Sequence, residues 1–294
     1  MITSASPFPV FSVIIPSYNR PLNAKAQLAS LSCQTLREFE VILVLQGSDF
    51  ELDPAPYLSV SRLHFADAIG VSRARNLGAK LASGEFIIFL DDDDEPANDW
   101  LWSFKNLMDS RPDADVLFCG AGVDKDGYRS SIMPRSGTMS PYLAGTWAIR
   151  RTLFEQLGGY DERLRFSENT ELLLRAQLTN CVTASIDQVK ITYYPSASGG
   201  SRNLENRVLS CLLMLEKHKF YFQDNPRVKR LFLRMAGVAL IQLGRPAEAR
   251  KLLWQSWVIA PWEIKAILRL VITLGPKFLS RMAYRNSGFP NSYF

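Results

Sequence analysis

The sequence predicts an α/β fold: a mostly parallel central sheet flanked by helices, followed by a helical appendage. Three observations carry this. The runs Phe11 to Pro16, Phe39 to Leu45 and Phe86 to Leu90 are almost unbroken apolar stretches, short enough to be strands buried on both faces. Between the first two, residues 23–34 carry Leu28 and Leu31 at helical spacing, and strand–helix–strand with continuous apolar strands argues for parallel pairing. Beyond Asn203 every stretch is helical in pattern, which divides the chain into residues 1–203 and a basic, mostly helical region 204–294.

Composition sets the bounds. The chain has 294 residues, 47% hydrophobic and 21% charged, the make-up of a globular protein and not of disorder. Cys33, Cys119, Cys181 and Cys211 lie far apart at no metal-ligand spacing and read as thiols in a reducing compartment. Met1 to Val10 lacks a basic start and an apolar stretch, and no run approaches the roughly 18 residues that span a bilayer. A cytoplasmic protein is therefore expected, with attachment to the inner face of a membrane left open. The net charge of +5 is unevenly spread. Residues 1–203 hold 19 Lys and Arg against 24 Asp and Glu, whereas residues 204–294 hold 15 against 5. An acidic catalytic part and a basic tail with an anionic partner follow from that asymmetry.

The elements come in order. The first strand closes in Ser17, Tyr18, Asn19 and Arg20, and the second ends in the turn Gln46-Gly47-Ser48-Asp49. Val60 to Phe65 suits a short third strand, and Gly70 to Ser83 a helix leading into Phe86. Trp100 to Asp109 is helical, Asp115 to Val123 a strand, and Asp124 to Gly127 a hairpin-like turn. Arg129 to Pro141 reads as loop or edge strand. Gly145 to Arg151 forms a short strand entering a helix at Thr152 to Leu157, broken at Gly158 and Gly159. A helix over Thr170 to Leu178 has Ser167 or Asn169 available as caps. Val189 to Tyr194 is the last strand, and 195–203 a Gly/Ser-rich loop, either a lid with Arg202 as a phosphate contact or an interdomain linker.

The strand at Phe86 stops in four aspartates, Asp91 to Asp94, followed by Glu95 and Pro96. Like charge at that density costs several kcal/mol unless a cation or many donors offset it. Carboxylate oxygens are hard ligands, so Mg²⁺ or Mn²⁺ is the natural counter-ion. Asp91 and Asp93 share a direction on an extended segment, at the strand end where open α/β sheets bind ligands. The competing reading is a solvated acidic turn that caps the next helix, with Pro96 near its first turn.

Four stretches then line up in one order. They are Val13 to Asn19, Gly70 to Gly78 with Ala74-Arg75-Asn76, Phe89 to Asp94, and Gly158 to Glu162 running into Glu168 and Leu172 to Arg175. Over the first two thirds of the chain they resemble the family 2 glycosyltransferases of the GT-A fold. The resemblance implies an inverting transfer of a sugar from a nucleotide-diphosphate sugar to an acceptor hydroxyl. It implies that Pro16, Ser17 and Tyr18 lie under the nucleotide, with Tyr18 offering a face to the base or, alternatively, packing the turn. Arg75 matches an arginine that grips phosphate or ribose, against the plainer role of a helix salt bridge. Asp91 and Asp93 match the Asp-x-Asp metal motif, with Asp92 between them at the nucleotide sugar.

Two positions depart from the family pattern. Gln46 stands where an acid reading the base is usual. Glu168-Asn169 replaces the usual Glu-Asp, so the aspartate regarded as catalytic base is missing. An inverting transfer still needs a carboxylate to take the acceptor proton. Glu168 is the expected base, with Asn169 orienting the acceptor, while Glu171 sits four residues before Arg175 at ion-pair spacing. Trp147 and Glu171 are further acceptor-side candidates, Trp147 equally a core residue. His64 and His218 have no partner at ligand spacing and read as surface or packing residues.

In the tail, Leu231 to Ala260 reads as two helices joined at Gly244-Arg245-Pro246, resembling a single tetratricopeptide-like hairpin that must pack on something else. The next segment sets Ile264, Ile267, Leu268, Val271 and Ile272 on one face, with Lys265, Arg269, Lys277, Arg281 and Arg285 as its charge. That suits an anionic membrane surface with Trp262 near the headgroups, or packing on the domain. Nucleic acid is not expected, since no recognition motif accompanies the charge. The implied acceptor is a glycan or lipid-linked sugar in surface polysaccharide or glycolipid assembly. The alternative is a degenerate GT-A domain that binds a nucleotide sugar or glycan as a scaffold, a reading the missing aspartate favours.

Overall fold

The computed structural model describes residues 9–51, 58–125, 128–133, 142–195 and 203–275. Two compact units are present, residues 1–162 with 169–195, and residues 163–168 with 196–294.

The first unit is built on one mixed sheet. Its strands are β1 (Phe11–Tyr18), β2 (Phe39–Gln46), β3 (Ser59–Phe65), β4 (Phe86–Phe89), β5 (Glu95–Pro96), β6 (Val116–Lys125), β7 (Tyr128–Ile132), β8 (Trp147–Arg150) and β9 (Thr183–Tyr193). The order is β3-β2-β1-β4-β8-β6-β9-β5, with β7 paired to β6. Strands β3, β2, β1 and β4 run parallel, as the apolar runs and intervening helices require. Beyond β4 the sheet is mixed: β8 lies antiparallel to both β4 and β6, and β9 parallel to β6.

Alternate residues of the same strands feed two apolar layers, which is why the runs are continuous. Val13, Ile15, Val41, Leu43 and Ile88 pack with Leu28 and Leu31 of α1 (Pro21–Ser32) and with Trp100 and Phe104 of α3 (Trp100–Ser110). Ile14, Ile42, Val44, Ile87 and Phe89 face the other way. They meet Ala74 of α2 (Val71–Ala79), Phe154 of α4 (Arg151–Gln156), and Leu172 and Leu173 of α5 (Glu168–Leu178). Gly78 sets the seating of α2, since a Cβ there would stand 2.5 Å from Ile14 Cγ2. That close approach brings Arg75 to the carboxyl end of the sheet.

Several boundaries differ from the expectation for a physical reason. β9 starts at Thr183, not Val189, because its polar first half is held by pairing with β6 and carries little apolar signal. β5 is two residues long and exists only through pairing with β9. The stretch after Arg129 begins as edge strand β7, and residues 134–141 lie outside the described residues, as do Asp126 and Gly127. α5 begins at Glu168, so Asn169 lies inside its first turn and is no cap.

The second unit is helical: α6 (Leu204–Lys217), α7 (Lys219–Asp224), α8 (Pro226–Gln242), α9 (Pro246–Ile259) and α10 (Ile264–Ile272). Val208, Ala239, Leu240, Ile241, Ala249 and Leu253 form its core, with Leu270 packed against it. The α8–α9 pair packs tightly at Gly237, where a Cβ would fall 2.7 Å from Leu253 Cδ2. Asn203 caps α6 by accepting from Asn206 N at 3.0 Å.

Candidate active site

Parallel pairing of β1 with β4 brings Ser17 and Tyr18 to the sheet end where the four aspartates emerge. Tyr18 is half exposed there, so its ring has a free face. The acidic turn is fastened from below by α1. Gln27 Nε2 donates to the carbonyls of Asp91 at 2.8 Å and Asp94 at 2.7 Å. Gln34 Nε2 donates to Ala97 O at 2.8 Å, and its Oε1 accepts from Leu101 N at 3.1 Å. The two amides fix the backbone so that the carboxylates are presented without having to hold the turn themselves.

The aspartates have different partners. Asp91 Oδ1 accepts from Arg75 Nη2 at 2.7 Å. Asp92 accepts from Ser17 Oγ at 2.6 Å and Arg20 Nη1 at 3.0 Å, and the same Arg20 nitrogen reaches Asp93 Oδ2 at 2.8 Å. Asp94 is buried, and neither of its carboxylate oxygens has a hydrogen-bond partner among the described residues. Burial pushes Asp92 and Asp93 above the usual carboxylate range. Ser17 and Arg20 counteract this at Asp92, and the charge of Asp91 adds to it at Asp93. Asp94 is raised well above that range, by burial first and then by Asp91 and Asp93.

This turn therefore holds more carboxylate than its two arginines neutralise. Hard oxygen donors and an orphaned buried carboxyl fit a divalent cation, which would offset the mutual repulsion. No three His, Cys, Asp or Glu side chains converge to hold an ion by themselves among the described residues. A bound ion would need water or ligand oxygens to complete its shell.

Arg75 is the hub. It is 1% exposed and spans from Asp91 to Asn169, whose Oδ1 accepts from Arg75 Nη1 at 3.2 Å and from Tyr160 Oη at 2.8 Å. The guanidinium also lies over the Tyr160 ring, 5.4 Å from its centroid. The neighbouring Asn76 clasps the same loop: its Oδ1 accepts from Tyr160 N at 2.8 Å, and its Nδ2 donates to Tyr160 O at 3.0 Å.

The other expected site residues have the following surroundings. Asn169 also donates from Nδ2 to Tyr142 O at 3.0 Å, so both ends of its amide are committed inside the protein. It positions Arg75 and Tyr160. Gln46 Oε1, expected at the base, accepts from Ile69 N at 2.8 Å and Gly70 N at 3.1 Å and shapes the entry to α2. Trp147 is fully buried against Phe89, and a ring with no exposed face cannot stack on a sugar. Glu171 is also fully buried and is gripped by Arg175 Nε and Nη2 at 2.8–3.0 Å, which excludes it from contact with an acceptor. Glu168 opens α5 and is partly exposed. Pro16 sits within β1 just before Ser17. His64 bonds Gly47 O at 2.8 Å, a packing role, and Arg202 lies outside the described residues.

Arg20, Gln27, Tyr160 and Asp94 were not singled out from sequence. Arg20 had a usable signal, because it lies just past β1 and so at the same sheet end as the aspartates. Gln27 had none, since its bonds are to backbone 64 and 67 positions away, whereas Tyr160 lies in the Gly158 to Glu162 stretch, which gave its place but not its bond to Asn169.

Comparison with known proteins adds the family. Residues 12–170 match the model described as Glycosyl transferase family 2. A glycosyltransferase of Haemophilus influenzae is 27% identical over 180 residues, 56% of this chain and 61% of its own length. This chain therefore spans less than two thirds of that relative. The amylovoran biosynthesis glycosyltransferase AmsB of Erwinia amylovora is 25% identical over 71% of this chain and 77% of its own. Among solved structures, TarS of S. aureus in complex with UDP-GlcNAc superposes with a TM-score of 0.60 at 19% identity, over 95% of this chain and 93% of that one. The mannosyltransferase PcManGT of Pyrobaculum calidifontis, in complex with GDP-Man and Mn²⁺, gives 0.54 at 16% identity over 96% and 88%. These two likenesses establish the GT-A fold. With the match running from Ser12 in β1 to Thr170 in α5, the chain belongs to glycosyl transferase family 2.

Proposed function

We propose that the protein is a metal-dependent, inverting glycosyltransferase that moves a sugar from a nucleotide-diphosphate sugar to an acceptor hydroxyl. The observation that carries this reading is the convergence at one sheet end of an exposed Tyr18, the Arg75–Asp91 pair and an under-neutralised run of carboxylates. A relative named as an amylovoran biosynthesis glycosyltransferase and structural neighbours in complex with UDP-GlcNAc or with GDP-Man and Mn²⁺ support it.

In this reading Tyr18 stacks on the base, while Pro16 and Ser17 floor the nucleotide site. Asp91 and Asp93 would hold Mg²⁺ or Mn²⁺, and Asp92 keeps Ser17 and Arg20 in place. The ion would absorb charge developing on the departing nucleoside diphosphate. Arg75 holds Asp91 in register, and the Tyr160–Asn169 bonds keep Arg75 from swinging. Glu168 takes the proton of the acceptor hydroxyl as its oxygen attacks the anomeric carbon. The bond from that carbon to the diphosphate oxygen breaks on the opposite face, and configuration inverts. The acceptor is a glycan or a lipid-linked sugar in surface polysaccharide or glycolipid assembly, and the enzyme works in the cytoplasm or on the inner face of the membrane.

A second reading, a binding scaffold, draws on the amide of Asn169 standing where the family has an acid and being spent inside the fold. Release of nucleoside diphosphate from a panel of sugar nucleotides, with and without Mn²⁺, separates the two. A transferase releases product with acceptor and metal present, and the product anomer is inverted. Tight nucleotide binding with no release under any condition would overturn the enzymatic reading in favour of the scaffold.

A further inference from the structure

Helix α10 turns its apolar face outward. Its buried side is narrow, with Ala266 and Thr273 buried and Leu270 packed on the core of the helical unit. Ile264, Ile267, Leu268 and Val271, continued by Leu274, are 73, 43, 54, 55 and 69% exposed. At helical periodicity these five fall within a single arc of about 120°. Lys265 and Arg269 lie together on one flank of that arc. An ordinary surface helix buries such a stripe; here the stripe is what solvent meets.

Indoles gather where α9 leads into α10. Trp262, 80% exposed, follows Pro261, whose carbonyl accepts from Trp257 Nε1 at 3.2 Å. The Trp257 ring lies 4.9 Å from that of Trp254, itself more than half exposed. Trp254 borders a shallow, open surface depression with Arg250 and Lys251, and Arg250 Nη2 donates to Thr273 O at 2.8 Å, tying it to the end of α10. Positive charge is crowded nearby. Arg230 pairs with Glu263, yet burial and then Arg234 and Arg269 pull its guanidinium below its ordinary value.

We propose that this surface docks on a bilayer containing anionic phospholipid, with α10 lying in the interface plane. Its aliphatic arc enters the acyl boundary, Trp262 sits at headgroup level, and the exposed Lys265 meets lipid phosphates. Charge complementarity selects this occupant. Residues 204–294 carry 15 Lys and Arg against 5 Asp and Glu, so a second copy would bring like charge onto like in a two-fold contact. A nucleic acid would leave the aliphatic arc unused. The proposal concerns the helical unit and is independent of the transfer chemistry above.

Flotation of the full chain with phosphatidylcholine vesicles, with and without phosphatidylglycerol, tests it, with tryptophan fluorescence as a second readout. Binding is expected only with the anionic lipid, together with a blue shift of emission. It should fall roughly tenfold or more as salt rises from about 0.1 M to about 1 M, where screening shortens from ~10 to ~3 Å. An Ile264→Asp, Val271→Asp double variant should lose binding with its urea midpoint unchanged, since both positions are exposed. Lys265→Glu should weaken binding to anionic vesicles. No binding to either vesicle, or equal binding to both at every salt concentration, overturns the proposal. So does concentration-dependent dimerisation that the double variant abolishes while vesicles are ignored, which would assign the face to a second copy.

Discussion

Replacing Glu171 by glutamine removes one charge from a pair that the fold has almost sealed. Glu171 is fully buried and the Arg175 side chain is 16% exposed. Arg175 spends its other N–H groups on Leu157 O and Gly159 O, both at 2.6 Å, and so secures the turn that delivers Tyr160 to Arg75. Breaking a buried pair by removing one partner costs ~3–5 kcal/mol. Glutamine keeps one oxygen for the guanidinium but turns an NH₂ toward a group that only donates, so a loss of about 3 kcal/mol is expected. With a urea m-value of roughly 3 kcal/mol/M for a chain of this size, the midpoint should fall by about 1 M. Far-UV circular dichroism against urea reads that shift, and turnover well below the transition should stay near the parent value because Glu171 touches no acceptor. A midpoint shift below about 0.3 M, roughly a third of that expected and worth ~1 kcal/mol at the same slope, would refute the pairing argument. Lost turnover with unchanged stability would return Glu171 to the acceptor site.

Other outcomes follow from the same geometry. Calorimetric titration should show Mn²⁺ binding weakly alone and more tightly with a nucleoside diphosphate, and Asp93→Ala should abolish the difference; an unchanged ion affinity counts against Asp93 as ligand. Glu168→Gln should lose transfer while keeping donor affinity, and Asn169→Asp should give no gain in rate, because that amide holds Arg75 and Tyr160; a faster Asn169→Asp enzyme would move the base to position 169. Without divalent ion, stability should decline as pH rises from about 4. Asp92, Asp93 and Asp94 keep protons longer in the folded state than unfolded, so their contribution is complete below the ordinary carboxylate value and is lost through their raised ones. Urea midpoints measured across pH should show this slope, and saturating Mn²⁺ should flatten it. Thiol titration of the folded protein should modify Cys33, which is exposed, and spare Cys211, whose thiol burial pushes up to about 12, and Cys119, pushed higher still; rapid labelling of Cys211 before unfolding would contradict its burial.

What the sequence determined by itself was whatever rests on local chemistry. Strands β1, β2 and β4 were legible because both of their faces are buried and nearly every residue must be apolar. The aspartate run was legible because four like charges at a strand end call for a counter-charge, whereas Arg75 was legible only through its match to the family's Ala-Arg-Asn stretch. Tertiary structure decided the rest, wherever partners are distant or a pattern has no sign. The two-residue β5 exists only through β9, and Gln46 and Asn169 accept hydrogen bonds from residues 23 and 94 positions away. Trp147 could have stacked or packed, and only its seat against Phe89 chose packing. The periodicity of α10 is the same whether its stripe faces a core or the solvent. Only the packing of Leu270 on the helical core, with Ala266 and Thr273 buried on the same side, turned Ile264 and Val271 outward, because a helix has one face to give and that side took it.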